Sequence, residues 1–107
     1  MIYCFDLDGT ICSIVEGNGG FPDYTMACPL VDRIKKINEL YDNGHTIIVE
    51  TARGSVSGQN WFDVTASQLE AWGVKHHQLR TGTKFNADFY VDDKGINAEV
   101  FFGERNK

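Results

Sequence analysis

Four aspartates, a threonine and a lysine carry the chemistry this sequence could perform. Asp6-Leu7-Asp8-Gly9-Thr10 closes a short β-prone run, Met1–Asp6. At usage of ~5–7% per residue type, D-x-D-G-T arises by chance in such a chain on the order of once in a thousand. The order places two carboxylates where a strand ends and a glycine lets the chain turn sharply. Asp6 there can serve as a nucleophile, with Asp8 two residues on as general acid/base. Asp92 and Asp93 end a second β-prone run, Asp88–Asp92. Taken alone this pair reads as a solvated turn. If the two runs are parallel neighbours, four carboxylates converge at one sheet edge. Like charges ~4 Å apart repel by roughly 4 kcal/mol per pair at an effective dielectric of 20, so such a cluster needs a cation. Oxygen-only ligation by Asp6, Asp8, Asp92 and Asp93, with room for water, suits Mg²⁺ better than zinc.

Thr51-Ala52-Arg53-Gly54 follows another short run, His45–Glu50. A hydroxyl there, with the adjoining backbone N–H groups, can hold a phosphoryl oxygen, although a lone Thr after a strand commonly caps its own turn. Gly9, Thr10 and Ala52 are the accompanying candidates for substrate binding. Arg53 either pairs a second anionic group of the substrate or forms a salt bridge that holds the loop. Lys84 is the candidate cation facing the nucleophile and the phosphate, with Lys94, directly after the acid pair, as its competitor.

Positioning these groups requires strands that end together. Met1–Asp6 and His45–Glu50 have apolar centres that do not alternate cleanly, which suits strands covered on both faces. Pro29, in a first turn, and Leu30, Ile34, Ile37 and Tyr41 mark a helix stopped by Asn43-Gly44. A second helix runs from Asn60 to Trp72, with Trp61, Thr65, Leu69 and Trp72 along one face and Gly73 beyond it; the two tryptophans read as core residues, with a sugar-stacking platform as the alternative. Val74–Leu79 and Asp88–Asp92 are further strands, and Ile96–Phe102 is a short closing helix. The expected fold is α/β: one Rossmann-like three-layer sandwich over residues 1–107, with a short parallel sheet and the site beyond the carboxyl ends of its strands. One link is awkward. Only eight residues separate Leu79 from Asp88, whereas parallel crossovers normally take a dozen or more. Ser13–Cys28, with Gly17, Gly19, Gly20 and Pro22, reads as a flexible, flap-like loop.

The 107 residues suit one domain. With 42% hydrophobic and 23% charged residues, disordered and low-complexity classes are excluded. A formal charge of −5 argues against a nucleic-acid platform or a basic membrane-surface module. No apolar run approaches the ~20 residues of a membrane span, and no signal peptide precedes the first strand, so a cytoplasmic protein without membrane insertion is expected. Cys4, Cys12 and Cys28 lack disulfide or zinc spacing. Cys4 reads as a buried hydrophobe, and nothing near Cys12 in sequence would make it a reactive thiol. His45, His76 and His77 read as strand-flanking residues, and Glu16 and Asp23 as solvated.

The ordered set D-L-D-G-T (Asp6–Thr10), T-A-R-G (Thr51–Gly54), K-F-N-A-D (Lys84–Asp88) and V-D-D-K (Val91–Lys94) resembles the haloacid dehalogenase superfamily. It is most similar to the small capless phosphatases associated with capsular or surface polysaccharide biosynthesis. The likeness runs from Ile2 to about Asn97 and includes A-C-P (Ala27–Pro29) and N-G-H-T-I-I-V (Asn43–Val49). It implies Asp6 as nucleophile, Asp8 as acid/base, Thr51 as phosphate-binding hydroxyl and Lys84 as charge-neutralising lysine. It also implies Mg²⁺ ligation by Asp6, Asp92 and the Asp8 backbone carbonyl, with Asp93 acting through water. The Lys84–Asp92 spacing is short for the superfamily. The expected activity is hydrolysis of a phosphate monoester, from a small phosphorylated metabolite or a glycan intermediate. No cap fits in the chain, so either the Ser13–Cys28 flap or a neighbouring subunit of a homo-oligomer covers the site, or the substrate protrudes. The alternatives are a catalytically silent phosphate-sensing or scaffold module and a receiver-like phosphoacceptor, which lacks the D-x-D order.

Overall fold

The computed structural model describes residues 1–17, 20 and 22–104. Three parallel strands, β1 (Ile2–Asp6), β2 (Thr46–Thr51) and β3 (Gln78–Thr81), lie in the order β1-β2-β3. Helix α1 (Val31–Asp42) connects β1 to β2, α2 (Phe62–Ala71) connects β2 to β3, and the short α3 (Ala98–Phe101) follows. The chain is thus an α/β protein, a single Rossmann-like unit with a short parallel sheet and, among the described residues, no cap domain. No helix among the described residues is long and apolar enough to cross a membrane.

The strands alternate more strictly than their sequences suggest. Phe5, Ile47, Val49 and Thr51 are buried, while Ile48 and Glu50 are half-buried and Ile2 and Cys4 are exposed. Ile34 and Ile37 of α1 and Leu69 of α2 pack into the same core as Phe5, Ile47 and Val49. From α3, Phe101 meets the rings of Tyr3 and Phe5, and Phe102 packs on Phe5. All three helices therefore cover one sheet face. Of the three layers expected, the described residues build two, which is why Cys4, on the other face, is exposed rather than a core residue. Arg33 ties α3 down through a two-pronged bridge to Glu104 at 2.5 and 2.9 Å.

Element ends shift for local reasons. Pro29 precedes α1, with Leu30 at its N-cap. Gly44 and Gly73 adopt φ of +90° and +71° just past α1 and α2, where the left-handed turn favours glycine. Val74 turns inward, 5% exposed, instead of opening a strand. β3 pairs from Gln78 onward, opposite Ile48. His77 extends this pairing: its N–H donates to the Ile47 carbonyl and its Nδ1 accepts from the Ile47 N–H.

The larger correction concerns Asp88–Asp92, which is not a strand. Residues 82–97 run without regular structure, leaving Phe85, Phe89 and Val91 at 84%, 84% and 94% exposure. Without a crossover helix, the short link after β3 does not carry this run back into a parallel sheet.

Candidate functional site

Leu7 organises the end of β1. Its side chain is fully buried, and its carbonyl accepts from the N–H groups of Thr10, Ile11 and Cys12. This tight turn leaves Asp6 and Asp8 on either side of an apolar anchor, both facing one cavity of about 370 Å³. Gly9 sits at φ +84°, and a Cβ there would press on the Ile14 side chain at 3.1 Å. Arg33 holds the turn from α1, donating to the Gly9 and Thr10 carbonyls at 3.1 and 3.2 Å. Gly9 and Thr10 therefore shape the turn rather than line the cavity, as was expected of them; Ala52 does line it.

Lys84 reaches Asp6. Its Nζ lies 3.1 Å from Asp6 Oδ1, over the ring of Tyr90 at 4.7 Å. Lys84 starts three residues beyond β3, two strands from β1, a lateral gap of ~10 Å. A long side chain crosses it because the Ser55 hydroxyl, in the loop after β2, donates to the Lys84 carbonyl and holds the backbone over the cavity. Lys84, not Lys94, is the lysine brought to the nucleophile candidate.

Arg53 is 1% exposed, and its Nε and Nη2 fork onto Asp8 Oδ2 and Oδ1 at 3.1 and 2.9 Å. Nη1 donates to Thr65 Oγ1 at 3.0 Å and Gln68 Oε1 at 2.5 Å, and Nη2 meets Cys12 Sγ at 3.8 Å. All five N–H donors of the guanidinium are thereby committed, and the Tyr24 ring covers its carbon at 4.5 Å. Of its two expected roles, Arg53 plays the loop-holding salt bridge; a substrate anion finds no free donor on it. Gln68 also donates to the Tyr24 carbonyl at 2.7 Å, tying the Ser13–Cys28 loop to α2. Residues 18, 19 and 21 of that loop lie outside the described residues.

Thr51 is 1% exposed at the end of β2, and its Oγ1 accepts from the Arg53 N–H at 3.1 Å. The hydroxyl caps its own turn, lines the cavity and keeps its proton available to an acceptor. Cys12 is inert in this setting: burial first, then the negative charge of Asp8, pushes its thiol up to about 12. Its Sγ–H donates to Asp8 Oδ1 at 3.4 Å.

Asp92 and Asp93 do not line the cavity. The Asp92 carboxylate accepts from the Gly95 and Lys94 N–H groups at 2.5 and 2.7 Å, and these bonds hold it below the usual carboxylate range. Among the described residues no three acid, His or Cys side chains gather as a metal site. The expected four-carboxylate cluster is not assembled, because the run carrying Asp92 does not join the sheet. Asp6 and Asp8 are offset instead by Lys84 and Arg53.

Trp61 was expected in the core with Trp72. Trp72 does pack against the core, but Trp61, at the N-cap of α2, lines the cavity and meets Tyr24 edge-to-face at 5.0 Å. His45 and His77 serve strand ends, through the terminal amine and Ile47. Glu16 is exposed, as is Asp23, whose carboxylate caps the turn at Tyr24–Met26. Arg33, Tyr24, Gln68 and Tyr90 had not been singled out; the first three act through contacts with residues far away in sequence, whereas Tyr90 acts locally, on Lys84 and the Phe85 carbonyl.

No family model and no curated protein matches the chain. Among solved structures, the fold is similar to a crystal structure of a target protein from Vibrio cholerae, with a TM-score of 0.78 and 22% identity. The match covers 94% of this chain and 86% of that one. At that identity the likeness speaks to the fold alone.

Proposed function

We propose that this chain is a phosphatase of the haloacid dehalogenase type, hydrolysing a phosphate monoester through an aspartyl-phosphate on Asp6. The reading rests above all on the juxtaposition of Asp6 and Lys84 at 3.1 Å, at the end of β1. Thr51 ends the neighbouring strand, and Asp8 faces the same cavity.

The phosphate dianion meets repulsion from Asp6 of about 8 kcal/mol at an effective dielectric of 20, twice the single-pair figure. Lys84 offsets part of this and stabilises charge on the phosphoryl oxygens in the transition state, with the Thr51 hydroxyl as a further donor. An Asp6 oxygen attacks phosphorus, the bond to the ester oxygen breaks, and the leaving alkoxide takes a proton from Asp8. Water then attacks the aspartyl-phosphate and gives a proton to Asp8, and inorganic phosphate leaves. Such acid/base help is worth roughly 10²–10⁴ in rate. The Arg53 fork occupies both Asp8 oxygens, so the protonated Asp8 that both steps pass through requires one of those hydrogen bonds to be given up.

Mg²⁺ belongs to the superfamily resemblance. The residues as placed do not fit it: Asp92 is engaged by its own turn and stands outside the cavity, so no step above passes through a metal. The test is phosphate release across a panel of phosphorylated metabolites, with and without added Mg²⁺, beside Asp6→Asn. Release by the parent protein and none by Asp6→Asn is expected; undiminished release by the variant refutes the covalent route.

A phosphate-binding module without turnover is the second reading. Its support is the Arg53 fork, which leaves neither Asp8 oxygen free of a donor. Phosphate binding without release from any ester would favour it.

A further inference from the structure

We infer that the site takes monophosphates of uncharged, ring-bearing alcohols, and that it discriminates against a second anionic group on the same substrate. The inference rests on the phosphatase reading above and deepens it.

Charge carries the first half. The charged side chains among the described lining residues are Asp6, Asp8, Arg53 and Lys84, two of each sign and paired with one another. Arg53 has no uncommitted N–H. Among the described lining residues Lys84 is the one cation able to face a ligand, and on the phosphatase reading the transferred phosphoryl group engages it. A carboxylate or second phosphate elsewhere on the substrate would find no cation on the wall, while feeling Asp6 and Asp8 in a partly enclosed space. Among the described lining residues a second anionic group would meet only neutral donors, such as Ser57 and Asn86, and no second uncommitted cation.

Shape and lining carry the second half. Besides these charged groups the lining includes Val15, Tyr24, Val56, Trp61 and Tyr90. Tyr24 is itself fixed from behind by Arg53 and from the side by Trp61, so this rim is preorganised. Aromatic and aliphatic side chains of this kind cover the apolar face of a sugar or the plane of an aromatic ring. A volume of about 370 Å³ lies at the low end of the roughly 300–1,000 Å³ of small-molecule sites, which suits one ring plus a phosphate.

The test compares kcat/KM for 4-nitrophenyl phosphate and glucose 6-phosphate with that for fructose 1,6-bisphosphate and 3-phosphoglycerate, at equal ionic strength. The first two should exceed the last two by on the order of tenfold or more. Trp61→Ala should raise KM for the ring-bearing monoesters with little change for acetyl phosphate, and Trp61→Phe should restore most of the loss. Val56→Lys, which adds a wall cation, should shift the ratio toward the bisphosphate. Equal or better turnover of the doubly anionic substrates overturns the inference while leaving the phosphatase reading intact. Equal Trp61→Ala losses on acetyl phosphate overturn the ring contact. No release from any ester, with or without Mg²⁺, refutes the phosphatase reading, and this inference falls with it.

Discussion

Replacing Arg53 by Met should unbalance the molecule more than almost any other single change. The guanidinium is buried and joins Asp8, Thr65, Gln68, Cys12 and Tyr24 from three separate stretches of chain. Met fills similar volume but leaves the largely buried Asp8 carboxylate beside the cavity without its cation and strands the Thr65 hydroxyl. Breaking one partner of a buried pair costs about 3–5 kcal/mol. The Asp8 side chain keeps 21% of its surface, so water relieves part of the cost and the lower end, about 3 kcal/mol, applies. A domain of this size has roughly 5–15 kcal/mol in total. At an m-value of about 1–2 kcal/mol/M, the urea midpoint should fall by about 1.5–3 M, followed by tryptophan fluorescence and far-UV circular dichroism together. Asp8→Leu should cost a similar amount, by stranding the guanidinium. The double variant should recover part of it, because an apolar replacement of the whole pair removes both stranded charges. A loss below 1 kcal/mol for Arg53→Met, or single losses that simply add in the double variant, would refute the buried-pair reasoning.

Further measurements test other parts of the site. Lys84→Ala should lower kcat/KM for any turned-over ester by roughly 10²–10³, the usual cost of removing one preorganised transition-state donor. Lys94→Ala should leave it unchanged, and the reverse order would hand the role to Lys94. In the folded protein Cys12 should resist a thiol reagent that modifies the exposed Cys4 and Cys28, and react on unfolding. Three fast thiols would contradict its burial. The folded Cys12 thiol is raised from its ordinary 9.0 to about 12, so its contribution to stability is whole below pH 9 and is lost as pH rises toward 12. The alkaline decline in urea midpoint should therefore be shallower in Cys12→Ala. Chelation by EDTA should lower activity only if the Asp92 run rearranges to bring its carboxylate to Asp6; activity indifferent to EDTA and to Asp92→Asn would dispense with the metal.

What the sequence made legible is what short-range chemistry decides. Asp6 and Asp8 around a buried leucine, then a glycine at positive φ, form a turn readable from five consecutive residues. β2 was readable because its centre is apolar, and α1 because Leu30, Ile34 and Ile37 repeat at helical spacing. β3 was misplaced because Gln78–Thr81 has no apolar run; its position is set by pairing with Ile48–Thr51 and by the inward turn of Val74. Trp61 fits the stripe of α2 by count, but at the N-cap its backbone is not yet helical, so its side chain leaves the core face and enters the cavity. Asp88–Asp92 has strand composition and no partner strand, and pairing is a property of the whole chain.

The acids show the same division at the level of charge. Reading only carboxylates, one counts four negative groups and demands an ion. Two of the four meet protein cations: Lys84, 78 residues from Asp6, and Arg53, 45 residues from Asp8. The other two do not reach the cavity. Neutralisation by side chains has a different consequence from neutralisation by a metal. A bound ion presents open coordination positions to the phosphate, whereas a guanidinium with five filled donors presents none. On the phosphatase reading the cleft then depends on Lys84 and Thr51 to hold the transferred group, and its described lining has no surplus positive charge with which to welcome a second one.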